Sequence, residues 1–165
     1  MNSRLIKITH DANGRYLTAE ERAAFLEYAD SVAQRFQAAD AVEKVEEAAV
    51  RGVVEEMTRR YPNFAKYHDQ GWAKCFRDVQ LVLRQDVQSM LLDDVRSLDD
   101  KILLWLRSTL AANNLTPGFC RDVYSLLRDN LQGHLGADDF NLLRPYLDRN
   151  VDVLSDFAEP ATPAV

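Results

Sequence analysis

Apolar residues recur at intervals of three and four along most of the chain, and no stretch alternates strictly. That spacing places one apolar stripe on a helix and predicts an all-α protein. Ser3 to Thr9 reads as a short helix. Asp11-Ala12-Asn13-Gly14 is a turn, with Gly14 free to take positive φ. Thr18-Ala19-Glu20-Glu21 is a capping box that starts a long helix. Phe25, Tyr28, Ala29, Val32 and Phe36 form its first stripe. The pattern continues from Ala38 through Met57 and ends near Tyr61-Pro62, where proline disfavours a helical neighbour.

Asn63 to Gly71 reads as an irregular connection. A helix from about Ala73 to Asp94 follows, with Phe76, Val79, Leu83, Val87, Met90 and Leu91 as its core stripe. Ser97-Leu98-Asp99-Asp100 is the next start signal, for a helix over Lys101 to Ala112 closed by Asn113-Asn114. Thr116-Pro117 opens a helix that Gly133 stops, and a last helix begins near Gly136, with Pro145 expected early or at a kink. About seven to eight helices of mixed length predict a globin-like fold over residues 1–158, with an N-terminal helical extension. Residues 159–165 are expected to form a flexible tail.

Composition narrows the function classes. The chain has 165 residues with 47% hydrophobic and 28% charged, enough for one substantial core. A net charge of −6 and no concentrated Lys/Arg run argue against nucleic acid. The longest apolar run, Ile102 to Leu106, is too short to span a bilayer. The N-terminus lacks the pattern of a signal peptide. Two cysteines, Cys75 and Cys120, make no disulfide framework or metal knuckle, which fits a reducing cytoplasm. His10, His68 and His134 have neither zinc spacing nor a place on a haem-lining helical face. No catalytic motif occurs, so neither catalytic residues nor a metal site are expected.

One stretch carries candidate chemistry, Trp72-Ala73-Lys74-Cys75-Phe76-Arg77-Asp78. Residues three apart on a helix share a side, so Cys75 and Asp78 point the same way. Arg77 lies further round, but its long side chain can fold back. A thiol, a carboxylate and a guanidinium on one helix edge could hold a large anion covalently. The same residues also read as an inert buried thiol, a first-turn acid and a solvated arginine. Cys120 reads as core.

The motif Cys75-x-Arg77-Asp78-x-x-x-x-Leu83-Arg84 resembles the phycobiliproteins. Three further matches occur in order: Asp11-Ala12-Asn13-Gly14-Arg15-Tyr16-Leu17-Thr18, Leu98-Asp99-Asp100 and Leu115-Thr116-Pro117-Gly118-Phe119. The resemblance implies a non-enzymatic globin-like protein that binds a linear tetrapyrrole (a bilin such as phycocyanobilin or biliverdin), attached by a thioether at Cys75. It further implies that Asp78 accepts pyrrole N–H groups and that Arg77 and Lys74 hold propionates. Phe119 would lie against the pigment, with Trp72, Tyr67 and Phe64 as wall residues by position. Asp11 and Arg84 would meet across a dimer, with Arg15 and Tyr16 beside them. Both lie in this one chain, which points to a homodimer. Antenna subunits follow Leu-Arg with an aromatic-rich segment and a glycine loop. Here stand Gln85-Asp86-Val87-Gln88-Ser89 and Leu92-Asp93-Asp94-Val95. Polar groups in place of an interface aromatic point to a divergent paralogue, similar to the bilin biosynthesis-associated globins, that carries bilin and meets bilin-synthesis or attachment enzymes. A light-harvesting subunit of the phycobilisome is the alternative, and a haem-binding or pigment-free globin-like protein stands behind it.

Overall fold

The computed structural model describes residues 2–163 of the protein, apart from the side chain of Tyr67. Helix follows helix, and no strand occurs among the described residues. The helices are α1 (Ser3–Asp11), α2 (Ala19–Arg60), α3 (Phe64–Tyr67), α4 (Gly71–Leu91), α5 (Val95–Leu98), α6 (Leu104–Ala112), α7 (Pro117–His134) and α8 (Ala137–Leu154). Their arrangement is all-α, as the periodicity predicts, and globin-like, as the number and mixed lengths of the helices suggest.

Local chemistry sets many of the ends. Asn2 caps α1 through its side chain, and Gly14 takes φ 78° in the turn that follows. Thr18 and Glu21 form the reciprocal capping box of α2. Arg15 reinforces that box, donating to both oxygens of Glu21 at 2.8 and 2.7 Å. Thr116 accepts from the Phe119 amide at 3.1 Å, and Pro117 sits in the first turn of α7. Asn114 closes α6 in the left-handed region, at φ 57°.

Several expectations change. The connection 63–71 contains the helical turn α3, and α4 starts at Gly71 and ends at Leu91, short of Asp94. Asp93 turns the chain out of α4 at φ 53°, doing there what glycine usually does. Asp94, not Ser97, caps the next helix by accepting from the Ser97 amide, and Asp99–Leu103 is a π-helical turn that runs into α6 without a break. Gly133 does not stop α7, which continues to His134. Pro145 lies in the middle of α8, where its ring removes one helical N–H.

The core gathers between α2, α4, α7 and α8. Val42, Val50, Val53 and Met57 of α2 meet Val79, Val82, Leu83 and Met90 of α4 there, with Leu127 and Leu131 of α7 and Leu143 and Leu147 of α8. The C-terminal part of α2 is therefore apolar on its inner face, while its N-terminal part buries little besides Ala24 and Arg35. Phe36, expected in a core stripe, is 57% exposed, and Leu26 is 64% exposed. A helix of 42 residues spans about 63 Å, and α1 packs back against its start as a hairpin.

Three side chains and one backbone amide tie that hairpin to the end of α4. The buried Arg35 guanidinium donates to the Met90 carbonyl at 2.7 Å and pairs with Asp93 at 2.7 Å. Tyr28 donates to the Leu91 carbonyl, Asn2 to the Asp93 carbonyl, and the Ser3 amide to Asp94. This clasp holds the left-handed Asp93 in place without glycine.

The polar run after Arg84 also needs correction. Asp86 and Ser89 are wholly buried, so they do not replace an interface aromatic on the surface. Asn150 of α8 donates to Asp86 at 2.7 Å. The departure at these positions is one of core chemistry.

Candidate functional site

A cleft opens between the N-terminal half of α4, the C-terminal end of α6 and the first turns of α7. Its non-atom space, open solvent at the mouth included, comes to about 810 Å³. Val79, Leu106, Leu110, Leu115, Phe119 and Val123 make it predominantly apolar.

Charge is confined to one wall. Lys74, Cys75, Arg77 and Asp78 all line the cleft from α4. Helical spacing alone brings Cys75 and Asp78 to that wall. Arg77 folds back as its length allows and donates twice to one carboxylate oxygen of Asp78, at 2.9 and 2.8 Å. The second oxygen of Asp78 makes no hydrogen bond among the described residues. Asp78 is half-buried and Arg77 largely exposed, so the pair sits at the rim.

The Cys75 thiol is pushed up to about 12, first by burial and then by the negative charge of Asp78. Cys120, read from sequence as core, lines the same cleft from α7, and burial together with Cys75 pushes it up to about 12 as well. Both are free thiols. Neither is an activated nucleophile as it stands, because the thiolate is the reactive form.

An aromatic cluster stiffens the wall behind Cys75. Phe119 meets Phe64 at 4.8 Å and Tyr61 edge-on at 5.0 Å, and Phe64 meets Trp72 at 4.5 Å. Trp72, expected as a wall residue, stands behind the lining and not in it. Gly71 is needed at this corner: a Cβ there would lie 2.9 Å from the Phe64 ring and 3.0 Å from His68. The side chain of Tyr67, also expected on the wall, lies outside the described residues.

Among the lining residues that sequence reasoning missed are His68, Cys120 and Tyr124. Burial, then the nearby Lys74, lower the proton affinity of His68, and its Nε2 is buried with no partner among the described residues. Cys120 and Tyr124 share one face of α7 at i, i+4 spacing and His68 ends α3, but spacing does not tell that these faces border the cleft.

The expected interface residues lie on the opposite side of α4 and on the hairpin. Arg84 donates to Glu46 of α2, with a shortest contact of 2.6 Å. Asp11 is held by Lys7, and Arg15 by Glu21. Tyr16 alone is free, at 96% exposure.

Helix order defines an all-α, globin-like protein, with a cysteine, an arginine and an aspartate on one helix edge of its candidate cleft. The phycobilisome protein family model matches residues 6–154, so the chain belongs to that family. It is similar to the allophycocyanin beta subunit of Picosynechococcus sp., at 26% identity over 144 residues, which cover 84% of this chain and 88% of that subunit.

Proposed function

We propose that this protein binds a linear tetrapyrrole in the cleft beside α4 and carries it covalently on Cys75, without catalysing a reaction. The observation that supports this most is the placing of Cys75, Asp78, Arg77 and Lys74 on one wall of an otherwise apolar cleft. The ligand's rings suit the apolar lining. Its inner N–H groups suit the free oxygen of Asp78, and its propionates suit Arg77 and Lys74 at the mouth. In this reading residues 1–158 act as one cytoplasmic domain. No helix among the described residues is long and apolar enough to cross a membrane.

Attachment would form a bond from Sγ of Cys75 to an exocyclic carbon of the pigment. The thiol's proton is released and a ring carbon gains one. The step is an addition, with nothing oxidised and no leaving group. A thiol pushed up to about 12 is almost wholly protonated at neutral pH, so an attachment enzyme or a base on the pigment side would assist it.

The hairpin supports a homodimer in this reading. Pairing Asp11 with Arg84 across subunits would replace the in-chain partners Lys7 and Glu46. Exposed Tyr16, Leu26 and Phe36 would therefore supply more of the affinity than that ion pair. The same surface supports a second reading, a light-harvesting subunit with a different partner chain. A stable homodimer on size-exclusion favours carriage; a monomer that pairs only with another phycobilisome subunit favours light harvesting.

The test is co-expression with enzymes that make phycocyanobilin. Visible absorbance should co-purify with the protein, and zinc fluorescence should survive a denaturing gel. Cys75→Ala should keep pigment only until denaturation. Folded wild-type protein that emerges colourless sinks the proposal.

A further inference from the structure

Tyr124 lies on α7, across the cleft from Cys75 and Asp78, and is 4% exposed. Its hydroxyl makes no hydrogen bond among the described residues. Yet it is not one of the sealed polar atoms: those without a partner are His68 Nε2, Asp86 Oδ1, Ser89 Oγ and Asn150 Oδ1. The side chain lines the cleft, within reach of a molecule bound there. Burial, then the neighbouring Cys120, Cys75, Asp78 and Asp86, hold its ionisation well above the usual phenol range. It stays protonated at every physiological pH and can donate one hydrogen bond.

A phenol in so apolar a setting has a use if the ligand brings an acceptor. Asp78 offers only acceptor oxygens, and one of them already holds Arg77. Tyr124 is the complementary donor. An acceptor and a donor facing one ligand match a molecule that presents both N–H and C=O groups near its attachment point. A linear tetrapyrrole does so, because each end is a lactam. A closed tetrapyrrole such as haem has no ring carbonyl, and its inner nitrogens are taken by the metal.

We propose that Tyr124 donates a hydrogen bond to a lactam carbonyl of the bound tetrapyrrole and thereby selects the open-chain ligand over the closed ring. This rests on the bilin reading of the cleft given above. The geometry that carries it is a tyrosine that lines the same cavity as Cys75 and Asp78 and whose hydroxyl has no hydrogen-bond partner among the described residues. Removing such a donor leaves a buried carbonyl unpaired, an effect of about tenfold in affinity.

Biliverdin and hemin are titrated separately into wild type and Tyr124→Phe, with folding checked by circular dichroism and thermal melting. The expected result is about tenfold weaker biliverdin binding in Tyr124→Phe with hemin binding unchanged. The lactam carbonyl stretch of bound biliverdin should also move to higher wavenumber, a change that loss of van der Waals contact alone does not produce. Should Tyr124→Phe destabilise the fold, the carbonyl stretch in the biliverdin complex of Tyr124→His, which keeps a donor, serves instead and should stay near the wild-type position. Equal biliverdin affinity and an unmoved carbonyl band in Tyr124→Phe overturn the assignment of Tyr124 while leaving the bilin reading intact. Wild-type protein that binds hemin but no biliverdin overturns both.

Discussion

Helix α4 carries two aspartates, Asp78 and Asp86, about two turns apart and in opposite circumstances. Asp78 stands at the rim of the cleft, engaged by a flexible, exposed Arg77 and with one oxygen free. Asp86 is wholly enclosed between α4 and α8, and its one partner is the neutral amide of Asn150. The first half of the helix, Gly71 to Asp78, faces open space and keeps free hydrogen-bonding capacity. The second half, Val79 to Leu91, is fixed in the core through Val79, Val82, Leu83 and Met90. One helix thus serves as a cleft wall at one end and a structural beam at the other. The same residue type becomes a binding group where water and ligand can reach it, and a buried polar burden where they cannot.

Substitutions in the two halves should separate stability from binding. Leu83→Ala removes a fully buried side chain from the beam and should lower unfolding free energy by about 2–5 kcal/mol, read from urea denaturation. A loss under about 1 kcal/mol would mean that this half does not anchor the core. The effect on ligand spectra should be secondary to that loss of fold.

Asp86→Asn should act in the opposite direction. Burial holds the Asp86 carboxyl well above the usual carboxylate range, with the Asn150 bond opposing weakly. An acid whose folded-state value is raised binds its proton more tightly when folded. Its contribution is therefore fully favourable below the unfolded value of about 4 and is lost as pH rises towards the folded value. Asparagine has the shape of the protonated acid and does not titrate. Denaturation at about pH 4 and about pH 8 should show the advantage of Asp86→Asn over wild type growing by at least about 1.4 kcal/mol, the worth of one pH unit of linkage. An advantage that is the same at both values would place Asp86 in contact with water or a cation.

Arg77→Gln should hardly touch stability, by under about 0.5 kcal/mol, because the rim pair with Asp78 is solvent-screened. Its consequence belongs to the ligand: bilin should bind more weakly, and its affinity should fall less steeply with added salt than in wild type, since one charge pairing is gone. Equal binding by Arg77→Gln across salt concentrations would remove Arg77 from the propionate role and leave it to Lys74.

Much of the local architecture was legible in neighbouring residues. Thr18 with Glu21, Gly14, Asn114 and Thr116-Pro117 each act over three or four positions, and each behaves as its chemistry requires. The failures are also local, and each has a tertiary cause. Asp93 adopts a glycine-like turn because Arg35 and Asn2, distant in sequence, grip it. The π turn at Asp99–Leu103 sits where Arg149 of α8 holds Asp99 in a bidentate pair at 2.9 and 2.7 Å. Gly133 remains helical because a single glycine costs only about 1 kcal/mol and the preceding Leu131 is fully buried.

Cys75, Arg77 and Asp78 could be singled out from sequence because one helix carries all three and helical spacing fixes their mutual placing. The ends of most helices and the all-α class were determined in the same way, by interactions within a turn or two. Tyr124 and Cys120 could not be, since α7 comes to the cleft only after folding, and His68, though close to α4 in the chain, carries no local pattern that marks it as lining. Tertiary structure also decided which polar groups face the cleft and which are buried. Asp86 and Ser89 look like surface residues in the chain and are core in the fold. The physical reason is that burial depends on what lies against a side chain in three dimensions, and hydrophobic periodicity records only which face is turned inward.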